Sequence, residues 1–330
     1  MAALPEERTT LSRPFQNTGV DFAGPFDIKS FTGRACKITK GYVCIFVCFS
    51  TRAIHLEGTS DLSTETFLGA FSRFISRRSC PQQIFSDNGT NFVGAAANLK
   101  KEFKKFLTTS RESLCNMYSH QEVSWNFIPA GAPHMGGLWE AGVKSIKFHF
   151  RRTAASQKFT FEEFQTLLCR IESCLNSRPI SPNSTDAADC AALTPGHFLT
   201  GGPILSPPEP SIEANPVSII NRWQKIKALS QQHSLRWKEE YLKELHKRYK
   251  WKSPQKDIAV DDLVVVRHEN LPPNEWRLGR VTKIYKGSDK RIRVADIRTQ
   301  KGRANIVRKS ITPCCMQTTV FLPDANFPYF

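Results

Sequence analysis

The order of its hydrophobic patterns is what most limits the fold open to this chain. Gly19–Pro25 carries a strand pattern broken by Gly24-Pro25. Tyr42–Ser50 and Ala53–Glu57 are two further strands, joined by the short Thr51-Arg52 connection. The period then changes. Leu62–Arg77 has helical spacing, with Phe67, Ala70, Phe71 and Phe74 on one face and Ser63 as N-cap. Gln83–Ser86 reads as a short strand entering the turn Asp87-Asn88-Gly89, and Phe92–Leu107 as a helix. Val123–Pro129 alternates as a strand, and Gly136–Arg152 is helical. Thr160 and Glu163 form a capping box opening a helix to about Asn176. Three antiparallel strands followed by alternating helices and strands predict a mixed α/β sheet with helices on its faces.

The C-terminal third differs. A Pro/Ser/Gly-rich linker at 201–216 precedes a long polar helix over Ile219–Trp251, with Trp223, Ile226, Leu229, Leu235 and Leu242 spaced around it. Beyond it, Asp262–Arg267, Trp276–Tyr285, Ile292–Asp296 and Asn305–Val307 are short strands, a density that suits a small β-barrel. The predicted divisions are an extended lead-in at 1–14, an α/β core at 15–200, the linker at 201–216, a long basic helix at 217–253, a small barrel at 254–313 and a tail at 314–330.

The 330 residues suffice for about two domains. With 40% hydrophobic and 23% charged residues, wholly disordered and collagen-like chains are excluded. The longest apolar run, Tyr42–Phe49, falls far short of the ~20 residues that cross a bilayer. The opening MAALPEERTT puts Pro5 and two acids where a signal peptide needs an apolar stretch, so secretion is not expected. The net charge is +16, and 24 Lys and Arg against 10 Asp and Glu lie between Asn221 and Ser310. Nearly all the excess is in that block, which suits a polyanionic partner, with a solvated basic surface as the alternative. The 10 cysteines are expected to be reduced thiols, Cys44 and Cys48 as core residues. Neither a C-x-x-C nor an H-x-x-x-H pair occurs, and no zinc site is expected.

Three carboxylates stand out by position. Asp21 lies in the first strand, Asp87 at the end of the fourth, the edge where α/β sheets place their sites, and Glu140 one turn into a helix. If the two strands are neighbours, the aspartates meet and the helix supplies a third oxygen ligand. Clustered carboxylates suit hard divalent cations such as Mg²⁺. Two such ions ~3.5–4 Å apart activate a nucleophile and steady the leaving oxygen of a phosphodiester. Singly, an Asp in a turn is more often a cap.

The words around these acids are longer than chance patterns. Gly19-Val20-Asp21-Phe22-Ala23-Gly24-Pro25, Phe85-Ser86-Asp87-Asn88-Gly89-Thr90-Asn91-Phe92 and Ala130-Gly131-Ala132-Pro133-His134-Met135-Gly136-Gly137-Leu138-Trp139-Glu140 resemble the catalytic core of retroviral and retrotransposon integrases. The resemblance is to the integrase region of BEL/Pao-type LTR retrotransposon polyproteins. Leu175-Asn176-Ser177-Arg178-Pro179, Leu193–Leu199, Asp262-Leu263-Val264 and Trp276–Val281 extend it over roughly residues 4–313. It implies a ribonuclease H-like core and an SH3-like barrel. It also implies a DDE triad of Asp21, Asp87 and Glu140 as catalytic and metal-binding residues, and two Mg²⁺ or Mn²⁺ ions. The implied reactions are trimming of a DNA 3′ end and its joining to target DNA. The implied partners are double-stranded DNA and further copies of the chain, and the implied setting is a cytoplasmic virus-like particle and the nucleus.

Glu122 competes with Glu140 as the third acid, since its distance from Asp87 is nearer the spacing in retroviral enzymes. The local match favours Glu140. Lys144 and Lys147 follow Glu140 by four and seven residues, on one helical face, where they suit phosphates or a solvated salt-bridged surface. Arg277, Arg280, Lys283, Lys286, Arg291 and Arg293 alternate with apolar residues and are the second expected DNA-binding set. Integrases of this kind also carry an N-terminal His/Cys zinc module, and this chain starts after it. A polyprotein fragment, a shortened reading frame and a domesticated copy all accord with that. Two rival functions stand beside the transferase: a DNA- or chromatin-binding protein without catalysis, and a nuclease of RNA–DNA hybrids.

Overall fold

The computed structural model describes residues 10, 12–33, 35–109, 123–127, 137–154, 157–184, 186–207, 209–210, 222–245, 258–267, 271–287, 292–300, 302–307 and 311–313. The side chains of 103, 105–109, 137–142, 244–245, 293, 303–307 and 311–313 fall outside that description. The chain divides between Glu172 and Ser173 into two compact units.

The first unit is built on a mixed sheet. Strands β1 (Asn17–Lys29), β2 (Ile38–Cys48) and β3 (Ile54–Thr59) pair antiparallel. Helix α1 (Thr64–Arg78) leads to β4 (Gln83–Ser86), which returns to the other side of β1, now parallel. Helix α2 (Thr90–Thr109) precedes β5 (Ser124–Phe127), parallel to β4. The order is β3-β2-β1-β4-β5, with β6 (Phe159–Thr160) beside the end of β1. Helices α3 (Gly137–Ala154) and α4 (Phe161–Asn176) complete the unit, with α4 continuing into the second. The Gly24-Pro25 pair does not end the first strand as its pattern predicts. The pairing with β2 shifts register between Ala23 and Phe26 and then resumes, because a bulge absorbs a residue that cannot donate to the ladder.

The helix signals act as their chemistry requires. Ser63 Oγ accepts from Thr66 N at 3.2 Å, and Phe67, Ala70, Phe71 and Phe74 are buried. Thr160 and Glu163 make the reciprocal capping box, at 2.7 and 3.4 Å. The core is rich in phenylalanine: Phe46 stacks on Phe74 at 4.2 Å, and Phe26 meets Phe150 edge-on at 4.6 Å. Each such ring contributes about 1.5–3 kcal/mol by burial.

In the second unit, β7 (Ser181–Pro182), β8 (Ala192–Leu193), α5 (Pro195–Thr200) and α6 (Arg222–Leu245) precede a five-stranded antiparallel sheet. Its strands are β9 (Leu263–Val266), β10 (Leu278–Lys286), β11 (Ile292–Thr299), β12 (Gly302–Val307) and β13 (Ile311–Pro313), ordered β12-β11-β10-β9-β13. Among the described residues β12 and β13 do not pair, so the sheet is an open ladder rather than the closed barrel expected. Both faces of β9 are covered. Val264 and Val266 pack with Val281, Ala295 and Ile297, while Leu263 and Val265 pack with Cys190 and Ala192, against which Leu242 and Trp276 lean. No described helix is long and apolar enough to cross a membrane.

Candidate functional site

Parallel pairing of β1 with β4 sets Asn17, Thr18 and Gly19 opposite Gln83, Ile84 and Phe85. Asp21 and Asp87 each lie two residues beyond the last of these pairs, and the charge of Asp87 bears on Asp21. Successive residues of β1 face opposite ways. Phe22 packs into the aromatic layer, stacked on Phe92 at 5.4 Å and edge-on to Phe67, and this turns Asp21 to the other face. That face meets α3, where Lys147 Nζ donates to Asp21 Oδ2 at 3.1 Å.

The Asp21 side chain is one-quarter exposed. Burial raises its carboxyl above the usual range. The charge and hydrogen bond of Lys147 and the Phe22 N–H oppose this, while the negative charge of Asp87 raises it again; the net shift is upward. Asp87 is exposed and locally braced, its Oδ1 accepting from Gly89 N at 3.0 Å. A Cβ on Gly89 would sit 3.0 Å from that oxygen and 2.7 Å from Asn91 Oδ1, so a side chain there would displace Asn91 and crowd the carboxylate of Asp87.

Glu140 lies in the first turn of α3, seven residues before Lys147, and its side chain is outside the described set, as is Glu122 altogether. Among the described residues no three His, Cys, Asp or Glu side chains converge as a metal site. The structure thus pairs Lys147 with Asp21 and brings Asp87 near enough for its charge to act on Asp21. A groove of about 510 Å³ runs along α3 from Asp21, lined by Lys144, Lys147, Phe148, Arg151 and Arg152. The last three extend the row that begins at Glu140 and were not singled out from sequence, although the spacing of four, seven, eight, eleven and twelve residues after Glu140 carries the signal.

The second expected DNA-binding set is dispersed. Lys283 and Lys286 are exposed on β10, and Arg277 is half-buried. Arg280 is a correction. It is 6% exposed and donates to the carbonyls of Asp189, Asp261 and Ser184 at 2.8–2.9 Å. A buried guanidinium must be satisfied, and three carbonyls satisfy this one, so it pins the chain to the sheet and is not offered to phosphate. Arg291 and the side chain of Arg293 lie outside the described residues.

A second ionic cluster escaped the sequence reading. At the edge strand β3, Glu57 and His55 are fully buried, and His55 Nε2 lies 3.0 Å from Glu57 Oε1. Glu57 also pairs with Arg73 at 2.7 Å and with Arg77. Glu172 of α4 accepts from Leu56 N at 2.9 Å and pairs with Arg78 at 2.5 Å. Gln165 accepts from Gly58 N at 3.0 Å. Side chains of α4 therefore occupy the edge N–H groups that a further strand would take.

Three comparisons bear on this geometry. Residues 221–316 match a family described as "Family of unknown function (DUF5641)". No curated protein matches the chain in sequence. A solved structure described as "CryoEM structure of simian T-cell lymphotropic virus intasome in complex with PP2A regulatory subunit B56 gamma" is similar at 10% identity over 92% of this chain and 81% of that one, with a TM-score of 0.33, a likeness too slight to carry an argument.

Proposed function

We propose that the chain is an integrase-type polynucleotidyl transferase that trims the 3′ end of an element's DNA and joins it to target DNA. The observation that supports this reading is that β1 and β4 pair in parallel just before Asp21 and Asp87, with the negative charge of Asp87 felt at Asp21 and the basic row of α3 alongside. The order β3-β2-β1-β4-β5, antiparallel and then parallel, supports a ribonuclease H-like core, and the motif resemblance supplies the BEL/Pao assignment.

Two aspartates on adjacent strands are hard oxygen donors. One of them is disfavoured as an anion by burial and by its neighbour, a donor set that a divalent cation relieves. On this reading Asp21, Asp87 and Glu140 hold two Mg²⁺ or Mn²⁺ ions, which when bound supply Lewis acidity toward a phosphodiester. Lys147 neutralises Asp21 and, with Lys144, draws the DNA phosphates to the carboxylates. The open five-stranded sheet of the second unit offers Arg277, Lys283, Lys286, Arg291 and Arg293 as sequence-independent phosphate contacts. The protein then works as a homo-oligomer on double-stranded DNA, in cytoplasmic particles and the nucleus.

The test is incubation of the purified chain with a labelled duplex copying the element's terminus and Mn²⁺. The expected result is a shortened strand and, with target DNA, a joined product, both lost in Glu140→Gln and kept in Glu122→Gln. Tight DNA binding with no cleavage under any divalent ion would replace this reading with a non-catalytic DNA-binding one.

A further inference from the structure

Phe148 sits in the outer row of α3 and is 40% exposed, although the opposite face of the helix buries Val143, Ile146 and Phe150. The guanidinium carbon of Arg152 lies 3.9 Å from its ring centroid. Lys144, Lys147 and Arg151 flank the ring along the same groove. From Lys144 to Arg152 the row is about 12 Å long at 1.5 Å per residue, enough to reach the phosphates on either side of one nucleotide.

An aromatic ring in a phosphate-binding row gains little from a duplex, whose bases are stacked inside and whose outer surface is sugar and phosphate. An unpaired base offers a π-face to such a ring, and a guanidinium on the ring strengthens the platform. We infer that this row is a binding site for an unpaired nucleotide of a DNA strand. The base stacks on the Phe148–Arg152 pair, and Lys144, Lys147 and Arg151 hold the flanking phosphates. The inference rests on the nucleic-acid reading above and adds the form of DNA taken: a frayed or single-stranded end. Lys147 also bonds Asp21, so an end seated on Phe148 lies next to the carboxylate pair.

The test is fluorescence anisotropy with the full chain, without divalent ions, on a labelled single strand of about 15 nucleotides and a blunt duplex of the same length. Phe148→Ala is expected to weaken single-strand binding by about tenfold to a hundredfold and to leave duplex binding within about twofold. Phe148→Trp retains the affinity. Phe148→Leu, which keeps the apolar bulk and the melting temperature but has no π-face, behaves as the alanine variant does. An abasic nucleotide at the stacked position costs the wild type the same factor and costs Phe148→Ala nothing more. Full single-strand affinity in Phe148→Leu, or equal losses on both DNAs in Phe148→Ala, overturns the stacking site while DNA binding stands. Wild-type protein that binds neither DNA overturns the nucleic-acid reading itself.

Discussion

At the edge of the first unit's sheet, Glu57 and Glu172 are ringed by Arg73, Arg77, Arg78, His55 and the Leu56 N–H. In its middle, Asp21 has one ammonium and a second carboxylate for neighbours. Both are acids on a β-sheet, yet the first cluster is electrostatically complete and the second is short of positive charge. Burial raises the Glu172 carboxyl, but His55, the Leu56 N–H and Arg78 outweigh it and hold the group below its ordinary value, whereas Asp21 ends above its own. A saturated cluster fixes structure, and on the function proposed above the undersupplied one is where an added cation would bind. Buried charge alone therefore does not distinguish a site from a staple.

The largest expected difference lies in chemistry. Asp21→Asn should reduce metal-dependent strand cleavage by about a thousandfold or more, read on labelled duplex. The same variant should not lose stability. Folding raises the pKa of Asp21, so its contribution is favourable while it is protonated and is lost as pH rises through the folded value. At neutral pH the amide removes that cost, and the melting temperature should hold or rise. A fall of several degrees would place Asp21 with the structural acids.

Glu57→Ala should do the opposite: a loss of about 3 kcal/mol in urea unfolding, because a fully buried carboxylate leaves His55 and two arginines unmatched. Lys147→Met should weaken duplex binding by about tenfold and reduce the log–log salt slope by about 1, with little change in stability. An unchanged slope would confine Lys147 to its pairing with Asp21.

The smallest effect is pH dependence. Burial lowers the pKa of His55, against the pull of Glu172, and the pKa of Glu172 is lowered as well. For both, the unfolded chain binds protons first as the solution is acidified. Stability is then lost below the ordinary histidine value of 6.5, and lost further below the ordinary glutamate value of 4.5. The melting temperature should fall by about 5 °C between pH 7 and 5, less steeply in His55→Gln. A flat profile would mean that His55 is not the titrating group.

Much of the first unit was legible because its signals are local. Ser63, the Thr160/Glu163 box and the Phe67–Phe74 face act within a few residues, and β4 runs from Gln83 to Ser86 as its pattern predicts. The meeting of Asp21 and Asp87 was legible only conditionally, since it needs β1 and β4 to be neighbours. The Glu57 cluster was not legible. Its partners on α1 and α4 lie far along the chain, Leu56 and Glu172 being 116 residues apart, and a glutamate ending an apolar strand looks like any solvated strand end. Arg280 misled for a related reason: alternation places a side chain on a face of the strand, and here that side chain meets the carbonyls of Ser184 and Asp189 rather than water. On α6, Trp223 and Leu235 are exposed while Trp237 and Lys238 are buried, Lys238 donating to the carbonyls of Pro272 and Glu275, because the covering partner sets the buried side.

The ladder between β1 and β4 has a consequence for how such a chain can change over time. The connection between β1 and β2 does not set the phase of β1 against β4, so a change in its length leaves that phase alone. One residue gained or lost within Gln83–Ser86 would rotate everything after it by half a pleat and carry Asp87 out of step with Asp21. Length is thus negotiable in the connections, while in these four residues parity is inherited or the site is lost.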